Sequence, residues 1–422
     1  MSKPPRVAPS PAHPGPIAHH APPGAQAQLR RDLERSLRGG HPWLYREALT
    51  VPSGLPAGSV IDVCDSHGQF VARGLYDPAS PIAFRVYTLD AAEAVDAALF
   101  RRRLARALEL RQRLFASEPE RTDAFRWCYG EGDFLPGLIV DVYGPVAVLV
   151  FDGGERGPAR AFRQTIVDIV AELGQALGLC AIYERLQRRA GGGGELLWGK
   201  LPGDGDGELT VSEHGVRFHV DVVHGQKSGL FLDQRENRRI IRRYARSRSV
   251  WNGFSYTGGF SVCAALGGAK RVVSVDRAGP ALAAARRNFA LNGLDPAAHG
   301  FFTDDAFTHL AAAVARGERH DLVIVDPPSF APTEKAVPTA LAAYRDLHRL
   351  ALELVAPGGL LCAASCSSHV NESAFLSTLV PTQKQASRPL RILELHSQPA
   401  DHPTLPGFPE GRYLKFVLLA AD

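Results

Sequence analysis

Hydrophobic and polar positions follow two different patterns along this 422-residue chain. Between residues 29 and 90 the apolar positions alternate in short runs, such as 58–64 and 68–74, interrupted by glycine and aspartate. This pattern predicts a small β-barrel. From residue 250 onward, continuous apolar runs alternate with helical segments. Because buried parallel strands read as unbroken apolar runs, the second half predicts a doubly wound α/β sheet. Its candidate strands are 250–253, 271–275, 322–325 and 360–364.

The segment between these halves predicts a small central α/β unit. Its expected elements are a helix over 91–115, strands at 138–142 and 146–151, a helix over 159–177 and a strand at 181–184. Glycine-rich runs at 191–194 and 202–207 predict a flexible boundary. Residues 1–26 hold eight prolines without apolar periodicity, which predicts a disordered tail. The predicted units are therefore a tail over 1–27, a barrel over 28–97, a central domain over 98–208 and a C-terminal domain over 209–422.

Composition narrows the class of protein. A hydrophobic content of 45% and a charged content of 22% are typical of globular proteins. No apolar run approaches the ~20 residues of a membrane span, and the N-terminus lacks the apolar core of a signal peptide. The six cysteines are scattered without a CxxC pair, which predicts free thiols in a reducing cytoplasm and no metal site.

Arginine is concentrated in three segments, 30–38, 101–113 and 235–248, although the net charge is only +4. The planar guanidinium suits phosphate, so such clusters are typical of nucleic-acid partners. Solvated helix faces produce the same clusters, and the residues alone leave both interpretations open.

A glycine turn after the first C-terminal strand indicates a ligand site. Tyr256-Thr257-Gly258-Gly259 lies where ligands bind in doubly wound sheets, yet it is neither GxGxxG nor a Walker motif. Asp276, at the end of the second strand, suits ribose hydroxyls. The run Asp304-Asp305-Ala306-Phe307 offers a carboxylate and an aromatic edge to adenine. Together they predict S-adenosylmethionine; the alternative is a cofactor-free domain with helix-capping aspartates.

Two further residues carry candidate chemistry. Asp326 precedes two prolines that stiffen the chain where it leaves the third strand, so its carboxylate is expected to face the donor methyl group and a base. Cys366 follows the fourth strand and suits the nucleophile that cytosine C5 methylation requires, because C5 is too weak to react unaided. Free cysteines are also commonly buried, so nucleophile and packing remain equally open at this point. Cys362, inside the apolar strand, is expected to be core packing.

Six motifs, in order along the chain, resemble the bacterial large-subunit rRNA cytosine-C5 methyltransferase family. They lie at residues 37–43, 130–141, 225–235, 254–260, 326–330 and 365–367. The resemblance implies an N-terminal PUA RNA-binding barrel, a central α/β domain and a class I methyltransferase domain. It further implies 23S rRNA, free or in an assembling large subunit, as substrate and 5-methylcytosine as product. It does not distinguish a monomer from a homodimer.

The resemblance also implies roles for individual residues. Cys366 is expected to be the nucleophile and Asp326 to orient the base. Gln234 is expected to close the donor pocket, with helix capping as its alternative role. The predicted cofactor-binding residues are Gln234, Phe254, Tyr256, Thr257, Gly258, Asp276, Arg277, Asp304, Asp305 and Ala306. Ser329 stands where related RNA enzymes carry a second cysteine, so thiol-assisted product release is not expected.

Three other functions compete with cytosine-C5 methylation. Asp-Pro-Pro followed by Ser329 and Phe330 also resembles the motif of enzymes that methylate exocyclic amines of adenine or guanine, which need no thiol. A non-catalytic RNA-binding assembly factor would retain the donor pocket without turnover. A protein or small-molecule methyltransferase would have little use for a PUA-like barrel.

Overall fold

The N-terminal unit is a six-stranded, mostly antiparallel sheet. The computed structural model describes residues 25–116, 121–186, 193–225 and 229–422, so the predicted tail up to residue 24 lies outside it. Alternate side chains such as Ile61 and Val63 are buried in a hydrophobic core formed by this unit alone, as expected for strands with one buried face. The strand order is β2-β6-β5-β4-β1-β3. The strands are β1 Gln26–Leu29, β2 Trp43–Tyr45, β3 Leu49–Thr50, β4 Val60–Cys64, β5 Phe70–Tyr76 and β6 Ile82–Thr88, with helix α1 at Glu34–Arg38.

The central unit is a five-stranded sheet in the order β11-β10-β9-β8-β7, covered by two helices. Its strands are β7 Ala124–Tyr129, β8 Leu138–Tyr143, β9 Val146–Phe151, β10 Ala181–Leu186 and β11 Gly193–Gly199, and its helices are α2 Ala97–Ala116 and α3 Arg163–Gly174. The sequence did not predict β7, where a bulge between Arg126 and Cys128 interrupts the alternation. The expected flexible boundary at 191–194 was wrong for Gly193 and Gly194, which begin β11; 191 and 192 lie outside the described residues.

The C-terminal unit contains a hairpin, a helix and a seven-stranded sheet. The hairpin pairs β12 Glu208–Glu213 with β13 Val216–Asp221, and α4 Arg235–Tyr244 follows it. The sheet has the order β16-β15-β14-β17-β18-β20-β19, in which only the pairs made by β20 are antiparallel. Its strands are β14 Ser249–Gly253, β15 Arg271–Asp276, β16 Gly300–Thr303, β17 His320–Val325, β18 Val355–Ser365, β19 Leu390–His396 and β20 Lys415–Ala421. Its helices are α5 Gly259–Leu266, α6 Gly279–Leu291, α7 Ala306–Ala315, α8 Val337–Leu354, α9 Glu372–Ser377 and α10 Leu379–Ala386.

Both faces of this sheet are buried, which explains the unbroken apolar runs. Ile324 and Cys362 point into one core, whereas Val323 and Leu361 point into the other. The doubly wound α/β prediction is confirmed, and Cys362 is core packing as expected. Since β14, β15, β17 and β18 are parallel, their carboxyl ends meet at one edge. In the described part of the chain, no helix is long and apolar enough to cross a membrane.

A buried ion network joins the central unit to the C-terminal unit. Arg111 of α2 forms two bonds to Asp133, at 2.6 and 2.7 Å, and donates to the main-chain carbonyl of Asp401 at 2.6 Å. The Asp401 carboxylate in turn accepts two bonds from Arg235, each 2.8 Å long. The start of α4, and with it the preceding Gln234, is therefore fixed against both units.

Candidate active site

A cavity of about 510 Å³ opens at the carboxyl edge of the seven-stranded sheet. This volume suits a cofactor-sized ligand. The predicted site residues in its wall are Gln234, Phe254, Tyr256, Thr257, Asp276, Arg277, Ala306, Asp326 and Cys366. Strand-end residues as far apart in the chain as Phe254 and Cys366 thus meet in one pocket, because four parallel strands end side by side.

The turn after β14 forms one wall of the cavity in an unusual backbone conformation. Phe254 and Tyr256, on either side of Ser255, both adopt left-handed conformations, with φ of 57° and 48°. Such conformations cost about 1–3 kcal/mol each for residues other than glycine, and they concentrate at ligand sites. Gly258 follows with φ 79°, and a Cβ added there would lie 2.9 Å from the Ala285 Cβ. The glycine is thus required for the tight approach of the turn to α6.

Two polar groups in this wall suit the ribose and amino-acid portions of S-adenosylmethionine. The Asp276 carboxylate is held in place by the main-chain N–H groups of Tyr256, at 2.8 Å, and Ala278, at 2.9 Å. Each of its oxygens retains a lone pair for a hydroxyl. The Ser255 hydroxyl is buried and has no hydrogen-bond partner among the described residues. A buried hydroxyl without a partner is costly, so its presence in a cavity wall indicates a polar ligand.

Asp326 is oriented by a chain of side-chain amides. Its carboxylate accepts a bond from Gln234 Nε2 at 2.9 Å, and the Gln234 carbonyl accepts a bond from Asn237 at 2.6 Å. Because Asn237 donates to the carbonyl oxygen, the Gln234 amide can only turn its N–H toward Asp326. In this structure Gln234 therefore contacts the predicted base-binding carboxylate, in addition to lining the cavity.

Cys366 is half-buried in the same cavity, on the loop after β18. The next residue, Ser367, joins this loop to the Asp-Pro-Pro loop: its hydroxyl accepts from the main-chain N–H of Phe330 at 3.1 Å and contacts the Ser329 hydroxyl at 3.2 Å. Tyr344 of α8 contacts the same hydroxyl at 2.9 Å from below. The loops that carry Asp326 and Cys366 are thus held together by one buried serine.

Three predicted cofactor residues lie outside the cavity wall of the described chain: Gly258, Asp304 and Asp305. Asp305 caps α7 by accepting from the Thr308 N–H at 3.0 Å, and Asp304 accepts from the N–H of Asp305 at 2.7 Å. These contacts match the helix-capping alternative, and adenine binding by either aspartate stays a prediction.

For two arginines of the 235–248 cluster, neither nucleic-acid binding nor a solvated helix face applies. Arg235 and Arg238 are buried and form bidentate ion pairs with Asp401 and Glu213. They stabilise the fold at α4, because a buried guanidinium requires a carboxylate partner.

The sequence analysis missed two features beside the cavity, both at the start of β20. The Tyr413 hydroxyl donates to Asp233, which lines the cavity. Lys415 is buried next to the Cys366 loop. A lysine within the apolar run 414–419 was the available signal.

Comparison with known proteins agrees with this architecture. Residues 146–409 match a family model described as S-adenosylmethionine-dependent methyltransferase, and residues 27–89 match a PUA-like domain. Ribosomal RNA large subunit methyltransferase I of Escherichia coli is 38% identical over 392 residues, covering 92% of this chain and 97% of that protein. The protein of that name from Shigella boydii matches equally. A structure described as a SAM-dependent methyltransferase from Streptococcus mutans superposes with a TM-score of 0.82 at 23% identity, covering 94% of this chain and all of that one.

Proposed function

Because the chain belongs to the S-adenosylmethionine-dependent methyltransferases, in the family of ribosomal RNA large subunit methyltransferase I, we propose that it methylates carbon 5 of a cytosine in 23S rRNA. Cys366 is the proposed nucleophile and Asp326 the group that binds the base. The observation that carries this proposal is the meeting of both side chains in one cavity with the cofactor residues. A thiol and a carboxylate at one donor site match the needs of C5 methylation better than those of amine methylation.

The proposed reaction begins at carbon 6 of the base. The Cys366 thiolate adds to C6, and the ring electrons make C5 nucleophilic. S-adenosylmethionine, when bound, would supply an electrophilic methyl group to C5, its S–CH3 bond breaking to leave S-adenosylhomocysteine. Loss of the C5 proton to a base then restores the double bond as the C6–S bond breaks, and the thiolate is regenerated. Asp326, held by Gln234, accepts the hydrogen bond of the exocyclic amine and fixes the ring over Cys366.

An RNA substrate is supported by the PUA-like domain and by the name of the relatives. A second cleft, of about 440 Å³, offers a contact surface for it on the central domain. Arg106 of α2 lines this cleft beside Phe134, which is 58% exposed, and Arg102 lines it too but is paired with Glu93 at 2.6 Å. Arginine suits phosphate, and an exposed aromatic ring suits an unstacked base. The target cytosine must leave its stack to reach Cys366.

The test is transfer of a tritiated methyl group from S-adenosylmethionine to 23S rRNA, followed by nucleoside analysis. Wild type is compared with Cys366→Ala and with Cys180→Ala, which removes an exposed thiol of the central domain. We expect 5-methylcytosine from wild type and Cys180→Ala, and at least a ~10³-fold loss in Cys366→Ala because the covalent route is removed. With RNA that contains 5-fluorocytosine, wild type should form a covalent adduct that survives denaturation. Cys366→Ala should form none.

Two results would contradict the proposal. Methylation of an exocyclic amine that persists in Cys366→Ala would assign the site to amine chemistry through Asp326. Cofactor binding without transfer to naked rRNA or to assembling large subunits would identify a non-catalytic assembly factor.

A further inference from the structure

Lys415 occupies an unusual position for a lysine, at the buried end of β20. Its side chain is 2% exposed, and it pairs in register with Ser365, the residue before Cys366. The Nζ atom donates to the main-chain carbonyls of Ser367, at 2.6 Å, and Tyr413, at 2.7 Å. The ammonium group is thus fixed directly beneath the Cys366 loop, with one carbonyl on each side of it.

The hydrogen bonds of this ammonium do not neutralise its charge, since both acceptors are neutral carbonyls. Burying an ammonium costs several kcal/mol unless a negative charge compensates it. Burial lowers the pKa of Lys415 to about 8, and the charges of Cys366 and then Glu372 oppose that shift. Lys415 therefore remains mostly protonated at pH 7, and a thiolate at Cys366 would compensate its charge more than Glu372 does.

Two arginines line the cavity that contains Cys366, but each is paired with a carboxylate and adds no net positive charge: Arg238 forms two bonds to Glu213, and Arg277 lies 3.6 Å from Asp305. The other ionisable groups around Cys366 do not carry a positive charge. Asp326 lines the same cavity and is an acid. Tyr344 packs from α8, and burial raises its pKa, so it is neutral at pH 7. Glu372, at the start of α9, is also an acid. Among these facing groups, only Lys415 favours the ionised thiol.

We propose that Lys415 is a positioning residue that keeps Cys366 in the thiolate form before the base binds. This inference rests on the proposed role of Cys366 as nucleophile and adds to it the source of the positive field that such a thiol needs. The thiol proton leaves to solvent, and the ammonium–thiolate pair remains. When sulfur bonds to C6, its negative charge moves into the ring; when the C6–S bond breaks, the ion pair forms again. Lys415 stays protonated throughout, held by its two carbonyl acceptors.

The experiment measures the alkylation rate of Cys366 by iodoacetamide from pH 5 to 10, resolved by peptide mass spectrometry, without RNA. The rate follows the thiolate fraction. In wild type, the midpoint for Cys366 should lie below that for the exposed Cys180 in the same sample. In Lys415→Met and Lys415→Gln, the Cys366 midpoint should rise by at least about one pH unit, which is a tenfold change in the ionisation constant of the thiol. Lys415→Arg should restore most of the wild-type midpoint, and Cys180 should not change.

The glutamine variant retains a donor for the two carbonyls, so it separates the charge from the packing. An unchanged Cys366 midpoint in a folded Met or Gln variant would overturn the proposal. A wild-type Cys366 midpoint at or above that of Cys180 would overturn it without any variant. These rates need no methyl transfer, so they stand even where Cys366→Ala still forms 5-methylcytosine, a result that would overturn the proposed function alone.

Discussion

Replacement of Asp401 by asparagine should destabilise the protein more than any change to a surface ion pair. The Asp401 carboxylate is fully buried and accepts two 2.8 Å bonds from Arg235 and one of 3.0 Å from the Arg126 main-chain N–H. Burial alone would raise the pKa of Asp401, but the charge of Arg235 outweighs it and holds that pKa well below its usual range. The pair is thus ionised in the folded protein.

The magnitude follows from what the substitution leaves behind. Asp401→Asn keeps the shape but leaves the Arg235 guanidinium, 2% exposed, with only the partly exposed Glu236 as a carboxylate partner at 3.2 Å. Removing one partner of a buried ion pair costs about 3–5 kcal/mol, and the remaining glutamate places the expected loss near 3 kcal/mol. The matched control is Glu172→Gln, which breaks an ion pair with Arg101 at a glutamate that is 56% exposed. Such exposed pairs contribute little to stability because solvent screens them.

Urea unfolding, followed by circular dichroism and tryptophan fluorescence, gives the free energy of unfolding of each variant. A loss in Asp401→Asn below about 1 kcal/mol, or equal to that of Glu172→Gln, would refute the reasoning. The double variant Arg235→Met with Asp401→Leu should recover part of the lost stability, because it removes both buried charges together but leaves the Arg126 main-chain N–H without its acceptor.

Four further substitutions test the cavity, the proposed RNA surface and the stability at acid pH. Gly258→Ala should weaken S-adenosylhomocysteine binding at least tenfold by calorimetry, because its φ of 79° and the 2.9 Å approach to Ala285 exclude a Cβ without moving the turn; unchanged affinity would contradict this. Ser367→Ala should lower kcat with little change in cofactor affinity, since it removes the hydrogen bond that joins the loops carrying Asp326 and Cys366, at a cost of about 1–3 kcal/mol; an unchanged kcat would argue against a role for that hydrogen bond. Arg106→Ala should weaken RNA binding and reduce the slope of log affinity against log salt by about one, measured by filter binding; an unchanged slope would remove Arg106 from the interface. Burial raises the pKa of Glu236, but the hydrogen bond and charge of His214 and the charge of Arg235 lower it to about 2. The contribution of ionised Glu236 to stability is therefore complete above about pH 5 and is lost as the pH falls toward 2. In Glu236→Gln, the urea concentration at the unfolding midpoint should depend less on pH over that range.

The sequence by itself determined those strands and helices whose buried residues recur at regular intervals along the chain. Strands such as 322–325, buried on both faces, read as unbroken apolar runs, and the barrel strands alternate because one face is solvated. The strand order of a doubly wound sheet brings strand ends together, so Asp276, Asp326 and Cys366 could be assigned to one site. Hydrophobic pattern did not predict the edge strands β11 and β19. Most of their residues are at least partly exposed, so no run of apolar positions identifies them.

Only the tertiary structure decided which polar residues act in the site and which hold the fold. The sequence does not distinguish the arginines of α4 from one another, yet Arg235 and Arg238 form ion pairs with buried carboxylates from distant segments. The role proposed for Lys415 depends on an antiparallel strand pair that places it opposite Ser365, next to Cys366, which lies 49 positions earlier in the chain. The physical reason is that hydrophobic periodicity reports only which face of its own strand or helix a residue occupies. Electrostatic partners are set by long-range packing, which no local pattern encodes.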